Sequence, residues 1–115
     1  MDREIDEKFH NEMMHIYHSA ANLKPPYRAN LFLRMVQEHG GKEAANRLLA
    51  TTEPSQGFAE LYLRGKENLK LSVEYLVLQR PWCTLFTEDQ LNTARVRLNK
   101  VECPLPEDDQ VREND

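Results

Sequence analysis

Ile5, Phe9, Met13, Ile16, Tyr17, Ala20 and Leu23 recur at spacings of three and four, which puts all seven on one face of a helix. A strand would scatter the same residues over both of its faces. This period returns along most of the chain and commits it to short rods that bury one stripe against another. Prolines at 25, 26, 54, 81, 104 and 106 set where the rods break, because a residue before proline is pushed out of helical geometry.

The first helix therefore ends at Lys24-Pro25-Pro26. Pro26 suits the first turn of a second helix, where its missing N–H is no loss. Leu31, Phe32, Met35 and Val36 are that helix's buried stripe, and Gly40-Gly41 stops it. A third helix covers Lys42 to Ala50, with Ala44, Ala45, Leu48 and Leu49 inward. After the turn Thr51-Thr52-Glu53-Pro54, Ser55 caps a fourth helix that buries Phe58, Leu61 and Tyr62 and ends near Gly65.

The run Leu69 to Val77 is ambiguous, since its first half alternates as a strand does. No second strand is available to pair with it, and a lone strand leaves its backbone groups unsatisfied. Ser72 can cap a helix instead, and the spacing predicts a fifth helix from Val73 to Gln79. Thr87 and Gln90 match a capping box for the last helix, with Phe86 and Leu91 placed as a hydrophobic staple. Glu88 and Asp89 fall in its first turn, and Arg95, Arg97 and Lys100 lie toward its end, as the helix dipole prefers. Its buried face is Leu91, Ala94, Leu98 and Val101. The expected fold is all-α: a compact orthogonal bundle of five or six short helices over residues 1–102, followed by a disordered acidic tail at 103–115.

A chain of 115 residues suffices for one core without metal or disulfide staples. It contains no apolar run long enough to span a bilayer, and the acidic start lacks the pattern of a secretory signal. Cys83 and Cys103 do not form a Cys-x-x-Cys pair and are expected as free thiols in a cytoplasmic protein. The net charge of −4 is unevenly distributed: residues 1–23 carry −3, residues 24–100 carry +4 and residues 101–115 carry −5. The central excess of bases would suit an anionic partner, but a solvated helix and a loose tail explain the asymmetry more simply.

Signatures of chemistry are sparse. Glu12 and His15 form one Glu-x-x-His pair, yet a di-iron bundle needs a second pair and two further glutamates. His10, His15 and His18 read as residues of a polar helix face. Cys83 has only the distant His39 as a conceivable base. There is no nucleophile elbow, phosphate loop or dinucleotide fingerprint. No catalytic residue, cofactor or metal is therefore assigned.

Two binding patterns remain. Leu33 to Gly65 has the order of a helix-turn-helix, which would put Arg47, Arg64, Lys66 and Lys70 on the phosphates of duplex DNA. The linking turn is longer than usual, and the overall charge is acidic. Trp82 and Phe86, with Pro81 and Leu85, make an apolar knot that plugs one end of the core or, if exposed, serves as a partner hot spot.

The residues Leu23-Lys24-Pro25-Pro26-Tyr27, Phe32-Leu33-x-Met35-Val36, Gly40-Gly41-x-x-Ala44-Ala45-x-x-Leu48-Leu49, Ser55-x-Gly57-Phe58, Glu74-x-Leu76-Val77-Leu78, Trp82, Leu85-Phe86 and Ala94-Arg95 carry a resemblance. Over about Tyr17 to Leu98 the chain resembles an uncharacterised family of small bacterial helical domains. The resemblance implies one bacterial domain and supplies no catalytic residues. The expected function is a non-catalytic protein-interaction or regulatory module of a bacterial cytoplasm, able to form a homodimer through the first helix. DNA binding is the alternative.

Overall fold

The computed structural model describes residues 2–106, with side chains from Glu4 onward. Among the described residues all regular structure is helical: α1 (Asp2–Ala21), α2 (Asn30–His39), α3 (Gly41–Leu49), α4 (Gln56–Leu63), α5 (Val73–Val77) and α6 (Glu88–Lys100). Two 3-10 segments, Lys66–Leu71 and Trp82–Leu85, complete the chain order. The run that alternates like a strand is thus a 3-10 turn joined to α5. Ser72 makes the joint, its hydroxyl donating to the Leu69 carbonyl at 2.6 Å and accepting from the Tyr75 N–H at 3.1 Å.

Most residues of the expected stripes meet in one core. Phe9, Met13, Val36, Ala44, Ala45, Leu69, Val77, Ala94 and Leu98 are fully buried. α1 lies across α3 and α2, α5 packs on α6, and α4 packs on the 3-10 segment that follows it. The radius of gyration, 13.5 Å, matches the roughly 13 Å of a compact domain this long.

The α1–α3 crossing is tight. A Cβ on Gly41 would stand 2.6 Å from the His10 Cα, so only glycine fits. The Gly41 N–H, an orphan at the start of α3, donates to His10 Nδ1 at 3.0 Å. Gly40, at φ +86° and ψ 157°, turns the chain from α2 into α3 in a region that only glycine occupies readily. The glycine pair both ends one helix and begins the next.

Four expectations need correction. Pro26 does not open α2, which starts at Asn30; the residues between form a linker anchored by Tyr27 N–H to the Ala20 carbonyl, 2.9 Å. The fifth helix ends at Val77, two residues short of Gln79. Leu31 and Tyr62, expected to be buried on the second and fourth helices, are 72% and 44% exposed, because neither helix has a neighbour packed over that side. The packed domain runs past Glu102: Cys103 is 4% exposed and Leu105 packs against the core. The cause is a Schellman turn closing α6, with Cys103 N–H on the Leu98 carbonyl at 3.0 Å and Glu102 N–H on the Asn99 carbonyl at 3.0 Å. The rest of the expected tail, 107–115, lies outside the described residues.

Candidate functional site

A cleft of about 390 Å³ opens between α1, the linker, α2 and α4, with Leu48 of α3 and the start of α5 behind it. Its walls are largely the apolar side chains Ile16, Ala20, Phe32, Met35, Leu48, Phe58, Leu61, Leu71 and Val73. The cleft exists because α2 packs on α1 and α3 while α4 packs on the 3-10 segment after it, so the apolar residues of α2 and α4 line one hollow without closing on each other. Leu31, 72% exposed, stands at the lip beside Arg28, Asn30 and Gln56, all exposed. Volume, apolar walls and a few polar groups are the ordinary attributes of a binding pocket.

The linker edge is fixed by Arg64. Its guanidinium donates to the Pro25 carbonyl (2.6 Å), the Pro26 carbonyl (3.2 Å), the Glu60 carbonyl (3.0 Å) and Glu60 Oε1 (2.6 Å), and it lies 5.3 Å from the Tyr27 ring centroid. Tyr27 lines the cleft. Burial, then the Glu60 carboxylate, pushes its phenol above the usual 10.0, while Arg64 pulls it back.

Glu74 is the one acid among the cleft residues. It is 3% exposed, and its Oε2 accepts from Arg97 at 2.9 Å. The same guanidinium donates to the Leu48 carbonyl (3.1 Å), the Thr51 carbonyl (2.6 Å) and the Thr51 hydroxyl (3.2 Å). Arg97 therefore ties α6 to α5 and to the end of α3, and the Glu74 carboxylate is committed to it rather than available as a base. Sequence reasoning missed this pair. The signal was present: position 97 shares the buried face of Ala94, Leu98 and Val101.

The residues singled out for binding fall in four places. Arg64 faces inward, as described. Arg47, exposed on α3, pairs with Glu43 at 3.1 Å. Lys66 and Lys70 share the first 3-10 segment, exposed, near the Cys103 thiol. α4, the reading helix of a helix-turn-helix arrangement, leans on that 3-10 segment, while α3 packs on α1, α2 and α6. Phe86 is buried, its ring 5.4 Å from Phe9; Trp82, half-buried, is 5.8 Å from the same ring. The aromatic knot closes one end of the core.

A second, wider groove holds Asp6, Glu7, His10, His39, Lys42 and Glu43. Among the described residues no cluster of three or more His, Cys, Asp or Glu is arranged to hold a metal, and no helix is long and apolar enough to cross a membrane. Glu12, His15 and His18 are exposed on α1, and Cys83 is half-buried beside Trp82.

No family model, curated protein or solved structure matches the chain.

Proposed function

We propose that this chain is a non-catalytic protein-interaction module of a bacterial cytoplasm, and that its cleft receives apolar side chains of a partner protein. The bacterial and cytoplasmic parts of the proposal rest on the sequence resemblance and on the two free thiols. The observation that carries the interaction reading is an apolar cleft of about 390 Å³ with an exposed leucine, Leu31, at its lip. A leucine at the lip makes the apolar surface of the hollow continuous with the outside, and a contiguous apolar groove of this kind marks an interaction site. The lone acid of the cleft, held by Arg97, gives no general base for catalysis there.

The duplex-DNA alternative keeps Lys66, Lys70 and the Glu43-paired Arg47, while Arg64 spends its donors on the linker and Glu60. No retardation of duplex DNA is expected at low salt, where phosphate contacts are strongest.

Selection of displayed helical peptides on the full chain tests the proposal. Enriched peptides should share apolar residues three and four apart and should lose binding to Leu31→Glu, a surface change, and to Met35→Trp, which fills the cleft. Equal enrichment on the wild type and both variants, with folding checked by circular dichroism, would contradict it.

A further inference from the structure

We infer that the partner segment is an amphipathic helix carrying a carboxylate beside its apolar anchors, and that Arg28 is the residue that reads the carboxylate. The inference rests on the cleft being the interaction site and adds the chemistry of what enters it.

Size sets the mode. A helix is about 10–12 Å across and does not fit inside a hollow of about 390 Å³. One or two of its side chains do, while its flank rests on Leu31. This is the helix-in-groove mode, in which anchors at helical spacing fill a hydrophobic hollow.

Charge sets the chemistry. The cleft residues include one base, Arg28, and one acid, Glu74. Glu74 is neutralised from behind by Arg97 at 2.9 Å. Arg64, the other guanidinium on this side, is neutralised by Glu60 at 2.6 Å. The Arg28 guanidinium has no hydrogen bond or ion pair among the described residues, and Arg28 is exposed at the lip. The first turn of α2 contains no acid, and Lys24, also exposed, lies on the same linker. On a molecule of net charge −4, the mouth of this apolar cleft therefore carries one uncompensated positive charge, that of Arg28. An approaching acidic-apolar face is attracted to that mouth, and a basic one is repelled. A rim charge of this kind governs association rate, salt dependence and choice of partner more than total affinity.

The test uses one peptide recovered by selection on the full chain, and a copy in which each of its acids is lysine. Binding of both is measured for wild type and Arg28→Glu, a surface substitution that leaves the core contacts untouched. The inference predicts that Arg28→Glu weakens the acidic peptide about fivefold at low salt, the scale of an exposed ion pair. It also predicts that Arg28→Glu binds the lysine copy more tightly than wild type does. Selected peptides with no acid near their anchors, or equal binding of the acidic peptide by wild type and Arg28→Glu, would overturn it while leaving the apolar cleft intact as the binding site. Peptides insensitive to Leu31→Glu and Met35→Trp would overturn both.

Discussion

At the scale of single residues, three positions hold more of the structure than their types suggest. Gly41 sits where α1 crosses α3, with His10 backbone 2.6 Å from where a Cβ would lie. Backbone atoms cannot swing aside as a long side chain can, so Gly41→Ala should destabilise by about 3 kcal/mol, the upper part of the usual overpacking range; chemical denaturation measures it. Arg97 is the second. Arg97→Met strands the buried Glu74 carboxylate and removes the donors to Leu48 and Thr51, and should cost about 3–5 kcal/mol. The double variant Arg97→Met with Glu74→Met should recover part of that loss, because no charge is left unpaired. It should not recover all of it, because the Leu48 and Thr51 carbonyls still lack a donor. A double variant as unstable as the single one would show that the charge pair contributes little. Tyr27 is the third. Its phenol is held above 10.0, first by burial and next by Glu60, so the folded state favours the protonated form. Its contribution to stability is complete below the free phenol's value and is lost as pH rises through the folded one. Urea titrations across that alkaline range should show wild type losing more stability than Tyr27→Phe; parallel losses would exclude the effect.

At the scale of elements, termini decide how much was legible in the sequence. Side-chain caps were readable: Ser55, Ser72 and Thr87 each accept the expected backbone N–H, since a short polar side chain before an apolar run has few other local uses. Ends fixed by distant groups were not readable. His10 receives the first N–H of α3 from 31 positions away, and Arg64 reaches the Pro25 and Pro26 carbonyls across nearly forty positions. Contacts of such sequence separation leave no local pattern. The Schellman turn after α6 was missed because its left-handed position, φ 59°, is filled by Glu102 and not by glycine. A left-handed non-glycine residue is strained by roughly 1–2 kcal/mol, so Glu102→Gly should raise stability by about 1 kcal/mol and raise the melting temperature accordingly. A lower melting temperature would mean that the Glu102 side chain contributes something that offsets its backbone.

At the scale of the whole molecule, the apolar period predicts both the helices and the identity of most of the core, because burial of one stripe per helix is a collective demand that every segment shares. The cleft was invisible to the same reasoning. Ile16, Met35, Phe58 and Leu61 read as core residues, and only the spatial arrangement shows that α2 and α4 leave a gap between them. The basic positions fared worse. A one-dimensional count of charge cannot tell a guanidinium consumed inside the fold, such as Arg64 or Arg97, from one left at a surface, such as Arg28. The most direct check of the cleft as binding site is an amide correlation spectrum of the labelled protein titrated with anilinonaphthalene sulfonate, an apolar body with one negative head. Binding in the cleft gives saturable shifts concentrated at Tyr27–Phe32, Ser55–Phe58 and Ser72–Glu74. Shifts centred on Trp82 and Phe86, or none at saturating probe, would contradict it.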